Sequence, residues 1–208
     1  MTSHPVSNTN HYTTITEGAT AEFRDRGSRF IAYTIPINHP QEFKERLAEI
    51  KKEHPKATHH CFAYRIGLSG DQFRVSDDGE PSGTAGRPIL GQIDSSQVTN
   101  ILIVVVRYFG GVLLGVPGLI AAYKTAASLA LQVTRFVQKP KLTNYRLQFD
   151  YTQMNEVMKV IKQFDCLILR QEVNLFCIME AGVPNNRKDE VLYKIGEIRG
   201  AEISETKG

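Results

Sequence analysis

Asp77, Asp78 and Glu80 fall in one short stretch, Ser76-Asp77-Asp78-Gly79-Glu80-Pro81-Ser82-Gly83-Thr84-Ala85-Gly86, where their spacing could support acid–base or cation chemistry. Glycine and proline interrupt the stretch, so it must be a turn rather than a regular element. Neighbouring carboxylates repel one another, and such a loop needs cations, backbone donors or solvent around it. Three readings compete. The aspartates could bond nearby backbone amides, as in an Asx turn; they could join other ligands at a Mg²⁺ or acid–base centre; or the loop could meet a basic partner. An EF-hand is excluded, because the alternating ligands and distal glutamate are missing. No metal site, cofactor or catalytic residue is assigned.

A second group lies at Arg107, Tyr108, Gly110 and Gly111, directly after Ile101 to Val106. That unbroken aliphatic run is short for a helix and predicts a central strand with no solvated face. Beyond it, Leu119, Ala122, Ala126, Leu129 and Val133 recur at steps of three and four, whereas Lys124, Thr125, Ser128 and Gln132 lie towards the other side, which predicts a helix. Strand, glycine turn and helix start in succession aim free amides at one spot and could hold an anion. The glycines match neither the dinucleotide pattern nor a phosphate loop, and they could equally serve close packing of helix on sheet.

The elements that must position these groups are legible upstream. Tyr12 to Phe23 and Ser28 to Ile35 read as a hairpin about Asp25-Arg26-Gly27, and Gln41 to Glu53 as an amphipathic helix with Phe43, Leu47 and Ile50 inward. His59 to Tyr64 reads as a strand, on which His59 and His60 point to opposite faces and so cannot share one metal. His60 is the candidate facing a pocket. Thr84 is expected to open a short helix running to about Ser96, with Pro88 in its first turns.

Residues 136–143, with Lys139-Pro140-Lys141, read as a linker between domains at 12–135 and 144–208, and residues 1–11 as a loose, disordered tail. In the C-terminal part Tyr145, Leu147, Phe149 and Tyr151 alternate with polar residues, and two helix faces and three further strands follow in the order βαββαβ. This is the ferredoxin-like plan, and the chain is expected to be α+β with two domains. A length of 208 residues suits one or two units, and a net charge of +3 marks no polyanion-binding block. Cys61, Cys166 and Cys177 form no paired motif and sit in apolar segments, consistent with reduced thiols in the cytoplasm. No signal sequence or membrane-spanning stretch is recognised, so no membrane partner is expected.

His59-His60-Cys61, Asp77-Asp78-Gly79-Glu80-Pro81, Gly83-Thr84-Ala85-Gly86, Val105-Val106-Arg107-Tyr108-Phe109-Gly110-Gly111 and Leu114-Gly115 together resemble the signature of the Impact family in its bacterial, YigZ-like form. The resemblance implies an N-terminal two-layer α/β domain like domain 2 of ribosomal protein S5, followed by a small C-terminal domain. It also implies a link to translation control, since eukaryotic Impact proteins regulate the kinase that senses amino-acid starvation. The chain departs from the bacterial pattern at Pro117, where a glycine is common, and at Ala121, where a basic residue is common; both weaken an anion site at the helix start, and Lys124 compensates only in part.

On these grounds the chain is expected to be a non-enzymatic translation-associated regulator that binds RNA, the ribosome or a translation-control protein. The expected binding residues are His60, Asp77, Asp78, Glu80, Gly83, Thr84, Gly86, Arg107, Tyr108, Gly110, Gly111 and Lys124, with Arg107 and Tyr108 presented at the surface. The alternative is a small hydrolase or phosphoryl-transfer enzyme using Asp77, Asp78 and Glu80 with Arg107. A two-layer fold would leave one face of the central strand to be covered by the second domain or another protomer.

Overall fold

A computed structural model describes residues 10–206, in two compact units, one being Tyr12–Lys139 and the other built from Pro140 onward. The tail expected over residues 1–11 lies, apart from its last two residues, outside the described residues. The elements of the first unit are β1 (His11–Ile15), β2 (Ala19–Asp25), β3 (Ser28–Pro36), α1 (Glu42–Glu53), β4 (His59–Ile66), β5 (Gln72–Ser76), α2 (Gly86–Ser95), β6 (Ile101–Tyr108), α3 (Gly115–Val133) and β7 (Phe136–Pro140).

The main sheet has the order β2-β3-β6-β4-β5 with antiparallel neighbours, so the aliphatic run Ile101 to Val106 occupies the middle strand. Every one of those six residues is fully buried. Ile101, Ile103 and Val105 pack with residues of α2 and α3, while Leu102, Val104 and Val106 pack with Phe43 and Ile50 of α1. The two-layer expectation is corrected here: helices cover both sheet faces. The apolar stripe of α1 supplies the second cover from within the unit, so neither the other domain nor another protomer is required for it.

The β2–β3 hairpin turns at Arg26 and Gly27, both with positive φ, the geometry that matches strand twist in a two-residue loop. β5 is an edge strand of mostly exposed residues, and its weak alternation hid it in the sequence. The stretch 136–143, where a linker was expected, carries β7, which pairs with β1, and the first residues of the next strand.

The second unit comprises β8 (Leu142–Phe149), α4 (Met154–Gln163), β9 (Leu167–Val173), β10 (Cys177–Pro184), α5 (Lys188–Gly196) and β11 (Glu202–Glu205). Its antiparallel sheet has the order β11-β8-β10-β9, and both helices pack into one core with Tyr145, Leu147, Phe149 and Met179. No helix among the described residues is long and apolar enough to cross a membrane.

Candidate functional site

Arg107 is the penultimate residue of the central strand, and Glu80 lies in the acidic loop before α2. Both are buried, at 5% and 8% exposure, and Arg107 Nη1 donates to Glu80 Oε1 at 2.6 Å. The Tyr123 hydroxyl of α3 donates to the same oxygen at 2.7 Å. The guanidinium lies between the rings of Phe30 and Phe109, 5.5 and 5.6 Å from their centres, which stabilises a desolvated cation. Arg107 Nη2 also reaches Ser28 Oγ at 3.4 Å, whereas Nε is buried without a hydrogen-bond partner. Arg107 is therefore a pillar between strand, loop and helix. This corrects its expected place at the surface.

Asp77 is held in the loop by three amides: Gly83 N donates to Oδ2, and Ala85 N and Gly86 N donate to Oδ1, at 2.8–3.0 Å. It thereby caps α2, whose first residue is Gly86, by a carboxylate from outside the helix. Burial alone would raise the Asp77 pKa, but the amides of Gly83, Gly86 and Ala85 outweigh it and hold the carboxyl below its usual value. Asp78 accepts from the His60 amide at 2.7 Å and pairs with Lys51 at 3.3 Å. Thr84 is buried, its hydroxyl donating to the Pro81 carbonyl. A Cβ on Gly86 would come within 3 Å of Ser76 N and Val75, so glycine there permits close packing against β5.

The histidine pair divides as strand geometry requires. His60, the one singled out from sequence, is buried on the α1 side, where its Nε2 lies 3.2 Å from the His54 carbonyl. Burial lowers its pKa. His59 is the one that faces the ion pair. Its Nδ1–H donates to the Asp78 carbonyl at 2.8 Å, which turns Nε2 towards Glu80 Oε1 at 3.8 Å. Tyr108 points to the α1 side, its hydroxyl 2.8 Å from His54 Nδ1.

Around the ion pair opens a cleft of about 340 Å³, lined by Thr58, His59, Glu80 and Arg107 within a largely apolar wall that includes Phe109, Leu113, Val116 and Leu119. Of the residues expected to bind, only Glu80 and Arg107 line it. Asp77, Gly83, Thr84 and Gly86 build the loop beneath, and Lys124 is exposed on α3. Gly110 serves packing, since a Cβ there would sit 1.9 Å from the Gly27 carbonyl carbon, and Gly111 adopts φ +83°. The reading from sequence missed His59, Tyr123, Phe109, Leu113 and Val116. A signal for the last three was present: no polar side chain occurs from Phe109 to Ala122.

Cys61 Sγ lies 3.0 Å from the Asp77 carbonyl and 3.3 Å from the Tyr123 hydroxyl, and burial pushes its pKa far up. It stays a thiol at neutral pH and is not an activated nucleophile. Among the described residues no group of three or more His, Cys, Asp or Glu side chains could hold a metal ion. The chemistry on offer is a rigid, ion-paired floor under an apolar rim.

Residues 26–131 match the Impact N-terminal domain family. The chain is 37% identical over 172 residues to IMPACT family member YigZ of Escherichia coli, covering 82% of this chain and 84% of that protein. It is 36% identical over 202 residues to IMPACT family member YvyE of Bacillus subtilis, covering 90% and 92% respectively. A crystal structure titled as that of a hypothetical protein superposes with a TM-score of 0.76 at 31% identity, covering 96% of this chain and 98% of the other. The chain belongs to the IMPACT family.

Proposed function

We propose that this protein is a non-enzymatic regulator associated with translation, which acts by docking a protein partner on the cleft beside Glu80 and Arg107. Family membership supports the link to translation control. The observation that carries the docking reading is the buried Arg107–Glu80 pair lying beneath exposed Phe109, Leu113 and Val116, at 47%, 83% and 52% exposure. A buried, ion-paired floor is suited to holding a shape, and an apolar rim is suited to a protein surface.

RNA or the ribosome's RNA is the less favoured partner, because the arginine expected to clamp phosphate is buried and committed to Glu80. The enzyme alternative is likewise weakened by geometry. Asp77 is saturated by amides, and Asp78 holds the His60 amide and Lys51, so neither is poised as a base. The strand order β11-β8-β10-β9 supports the ferredoxin-like reading of the second unit, and family membership supports a relation of the first to domain 2 of ribosomal protein S5.

The test is pelleting of the full chain with ribosomes and their associated factors from a lysate, with and without RNase, beside the same assay on Leu113→Ser/Val116→Ser. Association of wild type that survives RNase and is lost in the variant is the expected result. Failure of wild type to associate, together with Asp78-dependent turnover of a phosphoester, would establish the enzyme reading instead.

A further inference from the structure

From Phe109 to Ala122 the chain carries no charged or hydrogen-bonding side chain, yet Phe109, Val112, Leu113, Val116 and Ile120 are all exposed. Val116 and Ile120 are one turn apart on α3, and Lys124 follows one turn later on the same side. An apolar stripe thus runs from the mouth of the cleft along α3 and ends at a cation. Single exposed aliphatic residues are ordinary on a protein surface, but a continuous stripe beside a cleft marks an interaction site.

Charge narrows the occupant. From Phe109 to Lys124 the sequence holds no carboxylate, and Lys124 is the one charged residue of that stretch. Arg107 is neutralised by Glu80; Lys124 is exposed and makes no ion pair among the described residues. We propose that this face receives an amphipathic helical segment of a protein partner, with a large apolar side chain in the cleft and a carboxylate set against Lys124. This rests on the docking reading above and names the chemistry of the partner.

A helix fits because Val116, Ile120 and Lys124 follow one another at steps of four on α3, a row that forms a ridge for another helix to pack against. A second copy of the same face fits poorly, since it would bring apolar residues but no acid for Lys124. RNA fits poorly as well, because one lysine among aliphatic side chains offers few phosphate contacts.

The test uses the full chain and three labelled synthetic helical peptides, read by fluorescence anisotropy. Two share a Leu/Phe face and differ in having Glu or Lys at the flanks, and the third has alanine on that face. The Glu-flanked peptide is expected to bind about tenfold more tightly than the Lys-flanked one, and the alanine peptide not to bind. Leu113→Ser/Val116→Ser should weaken binding about tenfold or more at unchanged melting temperature, and Lys124→Glu should reverse the charge preference.

Equal binding of the two flanked peptides, or full binding by Leu113→Ser/Val116→Ser, overturns the proposal. So does tighter binding of an RNA oligonucleotide or of phosphatidylglycerol vesicles through the same residues, or self-association abolished by the same variant. If wild type pellets with ribosome-associated factors but shows no peptide preference, the partner chemistry falls and the translation reading stands. If the peptide preferences hold but no such association occurs, the translation reading falls instead.

Discussion

Arg107 and Glu80, 27 residues apart in sequence, meet at 2.6 Å with both side chains almost wholly buried. The contact joins the tip of the central strand to the acidic loop, and Tyr123 brings α3 to the same oxygen. Desolvating two charges is costly, and contacts from Tyr123, Ser28 and two aromatic rings offset part of that cost, while Arg107 Nε stays without a hydrogen-bond partner. It shapes the cleft floor and couples three elements that the chain brings together only on folding.

Removing one partner should therefore do more harm than removing both. Arg107→Ala leaves the Glu80 carboxylate buried without its cation and is expected to cost about 3–5 kcal/mol in urea unfolding. Arg107→Met combined with Glu80→Gln should cost less than Arg107→Ala alone. A loss below about 1 kcal/mol for Arg107→Ala would mean that the pair is not a structural pillar.

Asp77 should matter through its three amides. Asp77→Ala orphans the N–H groups at the start of α2 and is expected to cost about 2–3 kcal/mol. Since the loop is satisfied by protein donors, EDTA should leave the melting temperature unchanged. A fall of several degrees on chelation, reversed by Mg²⁺, would require a metal in this loop.

The pH dependence follows from Asp77 and His60, whose folded pKa values are both lowered. For each, the unfolded chain binds the proton more readily. Stability is therefore present above the unfolded pKa and is lost as pH falls through the folded one. Loss from His60 should begin below about pH 6.5, and that from Asp77 below about pH 4. In denaturant titrations across pH 4 to 8, His60→Gln should flatten the upper part of the profile; an unchanged slope would remove His60 as its cause.

Two adjacent glycines should respond differently to alanine. At Gly110 a Cβ would strike the backbone of Gly27 and Ser28 at 1.9–2.3 Å, whereas at Gly111 nothing lies within 4 Å and only the φ of +83° resists. Gly111→Ala is expected to cost about 1 kcal/mol. Gly110→Ala should lower the melting temperature clearly more, and the opposite order would contradict the close approach of the two turns.

Thiol labelling under native conditions should single out Cys166. Cys61 and Cys177 are buried, while Cys166 is partly exposed with its pKa raised to about 11 by burial. Slow reaction at Cys166, faster as pH rises, is expected by mass spectrometry. Rapid modification of Cys61 in the folded protein would show that the Tyr123–Glu80 core opens readily.

Much of the architecture was written locally in the chain. The run Ile101 to Val106 read as a strand with no solvated face, Phe43, Leu47 and Ile50 as one helix face, and the alternation from Tyr145 to Phe149 as a strand with one buried face. Each follows from side-chain periodicity, which depends on neighbours a few residues away. The motif residues were also legible as a group, because their types and order mark the family.

What they do was settled only by long-range packing. Which histidine faces the cleft depends on the sheet face that β4 presents to α3, and whether Arg107 meets solvent depends on where Glu80, Phe30 and Tyr123 arrive from elsewhere in the chain. The second cover of the sheet likewise hinged on the side chosen by α1. A charge on a strand tip reads the same whether exposed or buried; the desolvation, pairing and enclosure that decide its role exist only once distant elements have closed around it.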